Sequence, residues 1–269
     1  MNTRAIPNTG ELLPVVGMGT WQTFDVDGTP ARLAEVITKF LDTGARVIDS
    51  SPMYGKAEQA TGDLLAKTGK LGVPFLATKV WTQGKREGVE QMDRSFKRMR
   101  ADKIDLMQVH NLVDVATHLP VLREMKAAGK VRYVGVTHYM HGQFGAIEKL
   151  MKTEKLDFIQ IPYSIANREA EKRLLPAAHD TGTAVLVMTP FESGGLFARV
   201  RSKPLPAIAA ELECTSWAQL FLKFIIGHPA VTCPIPATSN PAHVADNLAA
   251  GFGRIPDDNQ RNALARAVA

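Results

Sequence analysis

Strand-like and helix-like runs alternate along this chain at a nearly fixed interval, and that rhythm constrains the fold more than any other feature. Short apolar, β-branched runs begin near Val15, Val47, Phe75, Ile104, Val131, Phe158, Ala184 and Val231, and a helically periodic stretch lies between most of them. Through the middle of the chain the starts are about 27 residues apart, room for one strand, one crossover helix and two short loops. Parallel strands require such crossovers, so the pattern predicts βαβ units and a parallel sheet. Eight units in 269 residues fit an α/β fold of the closed (β/α)8 TIM barrel type better than an open sheet.

The helical stretches carry the matching period. Leu33, Val36, Ile37, Phe40 and Leu41 follow i, i+3, i+4, i+7, i+8, and Trp217, Leu220, Phe221, Phe224 and Ile225 repeat it. Val89, Met92, Phe96 and Met99 form a narrower stripe. Such stripes pack a helix onto the barrel, which keeps Trp217 out of the candidate site. Thr29 before Pro30 reads as an N-cap with proline at the first helical position, and Gly44, Gly129 and Gly182 fall between a stripe and the next strand. No low-complexity segment or linker divides the chain, so one domain over residues 1–269 is expected. Two segments break the rhythm. The segment TRAIPNTGELLPVVG at 3–17 has alternating short runs about a turn at Asn8-Thr9-Gly10 and reads as a hairpin closing the bottom of the barrel. Residues 189–206, TPFESGGLFARVRSKPLP, lengthen the seventh crossover, and long loops in compact domains usually serve function.

Composition excludes several classes. The formal charge is +5, but the basic residues are scattered, with modest clusters only at KREG (85–88) and ARVRSK (198–203). Without an aromatic-interleaved basic stripe, attraction to small anions is expected rather than nucleic-acid binding. Cys214 and Cys233 lack metal-ligand spacing and read as buried small hydrophobes of a reducing compartment. No run of 18 apolar residues exists and MNTRAIPNTGELLP has no export signature, so a cytoplasmic protein without membrane association is expected, although a trimmed leader would leave the same sequence.

In a barrel of this kind chemistry gathers at the C-terminal ends of the strands. Asp49, Lys79 and His110 end the second, third and fourth runs, and Tyr54 follows Asp49 on the loop. Reducing a carbonyl needs hydride at carbon and a proton at oxygen, and a phenol can donate that proton. An ammonium about 4 Å from the phenol oxygen stabilises the phenolate by roughly 4 kcal/mol at an effective dielectric of 20, which would lower the tyrosine pKa before burial opposes it. Asp49 would keep Lys79 charged, and His110 would hydrogen-bond the substrate oxygen. Trp21, Phe24, Met53, Trp81, Asn111 and Phe191 sit on loops that would wall a pocket for small or medium aldehydes and ketones. A metal-dependent hydrolase using Asp49, His110 and His138 is the weaker reading, because no HxH or HExxH pair exists and Lys79 would repel the ion. No metal is therefore expected.

These residues resemble the aldo-keto reductase family. The matching motifs are GMGTW at 17–21, VIDSSPMYG at 47–55, ATKVW at 77–81, DLMQVH at 105–110, KVRYVGVTHY at 130–139, FIQIPYS at 158–164, SGGL at 193–196 and IPATSNPAHVADNLAA at 235–250, in the family's order over nearly the whole chain. The resemblance implies a nicotinamide coenzyme extended across the C-terminal face, with Tyr54 as general acid and Asp49, Lys79 and His110 as its supports. It places Gly19, Thr20 and Trp21 beside the coenzyme and Gln160 on the carboxamide, with Thr137 and His138 where the family has Ser-Asn. Met188 stands where an aromatic ring usually covers the nicotinamide, Ser193, Gly194, Gly195 and Leu196 resemble the loop over the pyrophosphate, and Pro190 and Phe191 are also expected at the coenzyme. Pro236, Ala237, Thr238, Ser239 and His243 fall at the adenosine phosphate end, with Asp246 and Asn247 as adenine contacts. Ala237 and His243 replace the lysine and arginine that hold the 2′-phosphate, so discrimination between NADPH and NADH should weaken. NADPH remains slightly favoured through Arg199, Arg201 or Lys203. Histidine at 110, where a branch acting on carbon–carbon double bonds has glutamate, favours a small-molecule carbonyl substrate. The sequence stops soon after the last helical stripe, so an open pocket is expected, on a monomer or weak oligomer. The alternative reading is a coenzyme-binding regulatory or redox-sensing barrel with little turnover.

Overall fold

The computed structural model describes residues 1–268. Two short strands, β1 (Thr3–Ala5) and β2 (Leu12–Pro14), form an antiparallel hairpin ahead of the barrel. The barrel strands are β3 (Met18–Gly19), β4 (Val47–Asp49), β5 (Phe75–Val80), β6 (Ile104–His110), β7 (Val131–Thr137), β8 (Phe158–Pro162), β9 (Ala184–Met188) and β10 (Cys233–Pro234). All eight run parallel in sequence order, and a bridge between Gly19 and Ala237 joins the first to the segment after the last. The crossovers carry α1 (Ala31–Asp42), α2 (Ala57–Lys67), α3 (Lys85–Arg98), α4 (Val115–Ala127), α5 (Phe144–Glu154), α6 (Glu169–Lys172) and α7 (Leu174–Thr181). The long seventh crossover holds α8 (Gly195–Val200), α9 (Ile208–Glu211) and α10 (Trp217–Ile226), and α11 (Pro241–Ala249) and α12 (Asp258–Val268) follow β10. The expected (β/α)8 barrel is the observed one. Among the described residues no helix is long and apolar enough to cross a membrane.

The first and last strands are shorter than the apolar runs that announced them. Val15 and Val16 pack instead with α1 and α11 residues such as Val36, Phe40 and Val244, and Val231 joins the shell beneath α10. The seam between β3 and β10 is tight. A Cβ on Gly17 would meet the Val47 backbone and Ile235 at 3.0 Å, and one on Gly19 would meet the Ile235 carbonyl at 3.0 Å, so glycine is what lets these segments close the barrel. Helix α1 also starts one residue later than expected. Pro30 is its cap residue, in an extended conformation with no side-chain cap bond, and Thr29 plays no capping part.

Alternate residues of each strand point inward and fill the barrel. Val47, Phe75, Ala77, Leu106, Tyr133, Phe158, Ala184, Leu186, Cys233 and Ile235 form this layer, and Ile6 and Leu13 of the hairpin join it from below. The hairpin is the expected bottom closure. Its turn is closed by the Gly10 N–H on the Ile6 carbonyl (2.8 Å), Glu11 binds Arg132 and Tyr133, and the Arg4 guanidinium donates to the carbonyls of Ile226 (3.0 Å) and His228 (2.6 Å). Cys214 and Cys233 are free and buried as expected, the first pushed up to about 11 by burial.

Helix α12 is tied to the barrel by one guanidinium. Arg261, 5% exposed, donates to Tyr163 Oη and Glu171 Oε1, both at 2.7 Å, and to the Phe224 carbonyl at 3.1 Å, and its Cζ lies 4.7 Å from the Phe224 ring centroid. Removing one partner of a buried pair strands the other. Arg261→Ala should therefore cost about 3 kcal/mol in urea unfolding at neutral pH. A loss below about 0.5 kcal/mol, the range of an ordinary surface change, would show that α12 is held by other contacts.

Candidate active site

Period two along the strands places a polar tier directly above the apolar filling. Asp49 follows Val47, Lys79 follows Phe75 and Ala77, Gln108 and His110 follow Leu106, Thr137 follows Tyr133 and Gly135, and Gln160 follows Phe158. All six side chains are buried. Lys79 Nζ donates to Asp49 Oδ2 at 2.8 Å and to the Ser50 carbonyl at 2.6 Å. Asp49 Oδ2 also accepts from Gln160 Nε2 at 3.1 Å, and Gln160 Oε1 accepts from Gln108 Nε2 at 3.0 Å. Tyr54 reaches back from the β4–α2 loop so that Lys79 Nζ stands 5.0 Å from its ring centroid, and its edge meets the His110 ring at 5.9 Å. The four residues singled out as reactive do converge.

Their electrostatics differ in part from the expectation. Burial opposes the Lys79 charge, but the attraction of Asp49 and Tyr54 and the hydrogen bonds to both outweigh it, leaving the ammonium above the ordinary lysine value. Asp49 lies above the usual carboxylate range because burial outweighs the pull of Lys79 and the bond from Gln160. Tyr54 was expected to be lowered by Lys79. Burial instead raises it above 10.0, since the Lys79 attraction is offset in part by the nearby Asp49 charge. His110 is pushed down to about 2 by burial first, then by Lys79 and His138, so its imidazole is neutral.

Around this tier the pocket residues separate. Trp21, Met53 and Trp81 are exposed by 47%, 39% and 42%, enough apolar surface to receive a ligand, and Asn111 is half-buried just past His110. Phe24 does not belong with them. It is fully buried among Val15, Leu33 and Val36, because its turn folds inward with the Phe24 N–H on the Thr20 carbonyl. Phe191 packs its ring on Phe197 (5.1 Å) and Phe221 (6.3 Å) in the outer shell rather than walling the pocket.

The residues assigned to coenzyme lie along the same C-terminal face. Gly19 forms the seam, and the Thr20 hydroxyl bonds the Asp49 carbonyl and Ser50 Oγ, both at 3.0 Å. Met188 ends β9, half-buried, on the inward register of Ala184 and Leu186. Pro190 is buried, and Thr189, Glu192 and Ser193 take left-handed φ of 50–53° without being glycine, marking this loop as strained. Ser193 and Gly195 are exposed, whereas the Leu196 side chain is wholly in the core and only its backbone is left for a ligand. Pro236 is buried and Ala237 exposed beside the seam. Thr238 and Ser239 lead into α11, whose cap Asn240 accepts from the Ala242 N–H at 3.0 Å. His243 is exposed on the first turn of α11, Asn247 is buried, and Asp246 accepts from Gln219 Nε2 at 2.6 Å. His138 Nδ1 accepts from the Met140 N–H (3.0 Å), and its ring stacks on Tyr139. One expectation fails on geometry. Lys203 Nζ donates to the carbonyls of Ala267 and Val268 on α12, which turns it from the coenzyme face.

Several participants were not singled out from the sequence. Gln108 and Ser51 sit two residues from His110 and Asp49, the spacing that puts side chains on one face of an extended strand. Gln91 brackets the Trp81 backbone, donating to its carbonyl at 3.1 Å, while His118 Nε2 lies 2.7 Å from the Thr82 carbonyl and Asp114 accepts from the Gly84 N–H at 2.8 Å. That loop is thereby held with Trp81 6.4 Å from the His110 ring. Such partners lie 10 or more residues away in sequence and leave no local signal.

Among the described residues no group of three or more His, Cys, Asp or Glu side chains converges as a metal site would. Asp49 Oδ1, Gln108 Oε1 and Thr137 Oγ1 are buried with no hydrogen-bond partner. Orphaned polar atoms at a barrel mouth ask for a ligand with amide or hydroxyl groups. The nicotinamide carboxamide suits Thr137, which pairs in register with Gln160.

The family model described as "Aldo/keto reductase family" matches residues 15–262, and the chain belongs to that family. Aldo-keto reductase YhdN of Bacillus subtilis is 32% identical over 205 residues, covering 70% of this chain and 61% of YhdN, less than two thirds of its length. Methylglyoxal reductase YeaE of Escherichia coli is 29% identical over 262 residues, covering 93% of this chain and 89% of its own. The crystal structure of an aldo/keto reductase from Klebsiella pneumoniae with NADP and acetate matches with a TM-score of 0.82 at 24% identity, over 99% of this chain and 95% of that one, a likeness of fold.

Lys79→Met would leave the Asp49 carboxylate buried and unpaired, at a cost of about 3–5 kcal/mol in urea unfolding. Adding Asp49→Asn should restore part of that loss. Strict additivity of the two substitutions would show that the pair is not coupled in the folded protein.

Proposed function

We propose that this chain is an NAD(P)H-dependent reductase of aldehydes and ketones, in which Tyr54 protonates the substrate oxygen. The observation that carries this reading is the buried Lys79–Asp49 pair beneath a neutral Tyr54, with the neutral His110 ring at its edge. A bound reduced nicotinamide would supply the hydride to the carbonyl carbon. Charge then develops on the carbonyl oxygen, and two neutral donors beside a fixed ammonium are placed to receive it. The Tyr54 O–H bond breaks as the alcohol O–H forms, and the phenolate left behind is stabilised by Lys79 until it regains a proton from solvent. His110 aligns the oxygen by hydrogen bonding. Thr137, His138 and Gln160 would hold the carboxamide, with Met188 against the ring. Gln160 keeps one amide hydrogen and one lone pair beyond its bonds to Asp49 and Gln108. Trp21, Met53 and Trp81 favour small or medium carbonyl compounds with an apolar side.

Oxidation of reduced coenzyme over a panel of aldehydes and ketones, run beside Tyr54→Phe, tests this. The variant should lose about 100-fold to 10,000-fold in kcat, and wild-type rates in the variant would end the assignment. The pH dependence has a defined sign. A phenol donates only below its pKa, and Tyr54 lies above 10.0, while His110 titrates near 2. Reduction should therefore be flat from about pH 6 to about pH 9, whereas oxidation of the alcohol, which needs the phenolate, should rise across that range. An acid limb near 6.5 in reduction would mean that His110 titrates in the working enzyme.

At the 2′-phosphate end Ala237 carries no charge and His243 offers one imidazole where a guanidinium would offer a fork. Lys203 is held at α12 and Arg199 lies 3.5 Å from Glu192, so Arg201 would be the first candidate to reach the phosphate. A modest preference for NADPH is expected. Comparing kcat/KM for the two coenzymes decides it; a ratio above about a thousandfold, about 4 kcal/mol, contradicts this assignment.

A further inference from the structure

Ser51 lies just past the end of β4, buried, two residues beyond Asp49. Two groups address its hydroxyl. The Met53 backbone N–H donates to Ser51 Oγ at 3.3 Å, and His110 Nδ1 stands 3.0 Å from the same oxygen. A serine hydroxyl has one proton to give and two lone pairs to receive with. Met53 occupies a lone pair, and the hydroxyl makes no other hydrogen bond among the described residues, so its proton belongs on Nδ1. Only one nitrogen of a neutral imidazole is protonated, and acceptance at Nδ1 requires the proton on Nε2. The opposite assignment would strand a buried hydroxyl proton, the costlier arrangement.

We propose that Ser51 is a positioning residue that locks His110 as its Nε2–H tautomer, so that the ring offers the substrate carbonyl a donor rather than a lone pair. This rests on the reading of His110 as the group that aligns the substrate oxygen. A lone pair aimed at that oxygen would repel the charge that develops there, so the tautomer decides whether the ring assists or hinders. The edge of Tyr54 and the Trp81 ring, 5.9 and 6.4 Å away, fix the plane of the imidazole but not the place of its proton. That selection falls to Ser51.

Long-range 1H–15N spectra of the histidines at about pH 7 read the tautomer directly, with the His110 signal assigned against His110→Gln. In the wild type Nε2 should be of the protonated type and Nδ1 of the acceptor type. In Ser51→Ala the two nitrogen shifts should draw together as both tautomers populate, and kcat should fall about tenfold to a hundredfold with KM within about threefold. Ser51→Thr keeps the hydroxyl and should recover the wild-type pattern and most of the rate. A wild type with the proton on Nδ1, or a Ser51→Ala spectrum unchanged from wild type whatever its rate, overturns the proposal. A protein that shows the tautomer and its loss in Ser51→Ala, yet turns over no carbonyl with either coenzyme, refutes the reductase reading while the role of Ser51 in fixing the tautomer stands.

Discussion

The Lys79 side chain is 1% exposed and that of Asp49 is 2% exposed, so both charges have left water and each depends on the other to remain. Desolvation of such groups costs several kcal/mol per ion, and mutual attraction offsets it only when the remaining hydrogen bonds are also made. Here they are made at Lys79 Nζ and Asp49 Oδ2, while Asp49 Oδ1 and Gln108 Oε1 keep no partner. The Ser50 carbonyl accepts a second Lys79 hydrogen bond, Gln160 donates to Asp49 Oδ2, and Gln108 donates to Gln160 Oε1. The chain of contacts spans β4, β5, β6 and β8 and is set by the register of those strands. Slipping any one of them by a residue would move its polar member into the helix-packed shell and an apolar one into the mouth. The ion pair and the strand register therefore support each other.

The same tier explains why the two neutral groups remain neutral. Tyr54 and His110 are pushed away from charge in opposite directions, the phenol upward and the imidazole downward, by one shared cause, burial, which Lys79 reinforces at His110 and opposes at Tyr54. The aromatic layer below, Phe75, Tyr133 and Phe158, with ring centroids 5.4–6.0 Å apart, keeps water from the floor of the site. A low dielectric strengthens any interaction with charge that develops later in this space. The donors are in place before that charge exists, which is the condition for electrostatic stabilisation without reorganisation.

Where periodicity and chemistry coincide, the site was legible in the sequence. Asp49, Lys79 and His110 each end an apolar run, and a strand that ends on a charged or polar group at a barrel mouth announces its purpose. Gln108 and Ser51 obey the same period and were readable on the same ground, yet uncharged side chains attract less notice. Phe24 misled because an aromatic residue on a loop looks like a wall, and only the backbone turn from Thr20 sends it into the core. Lys203 misled for a related reason. A basic residue in a long loop suits a phosphate, but the loop folds through α8 and back toward α12, and the carbonyls there capture it. Both errors concern where a loop turns, which depends on tertiary partners and not on local composition.

Backbone strain is also concentrated at the mouth. Asn111, Leu112 and Asp114 after β6 and Thr189, Glu192 and Ser193 after β9 all adopt left-handed φ of 50–54°. For residues with a Cβ this conformation is costly, and it persists only when surrounding contacts over-determine it. The first cluster carries Asn111 beside His110 and places Asp114 to accept the Gly84 N–H, tying it to the loop that holds Trp81. The second carries the exposed Ser193–Gly195 backbone, with Leu196 in the core and the half-buried Phe191 packed against it. Carboxylates take part in holding both loops, Asp114 on the Gly84 N–H and Glu192 on Ser164 Oγ (2.7 Å), and Leu196 adds a buried apolar anchor to the second. On the proposed reading, with Ala237 and His243 in place of a lysine and an arginine, the grip on the adenosine end of a coenzyme would depend on the shape of these preset loops more than on ionic contacts.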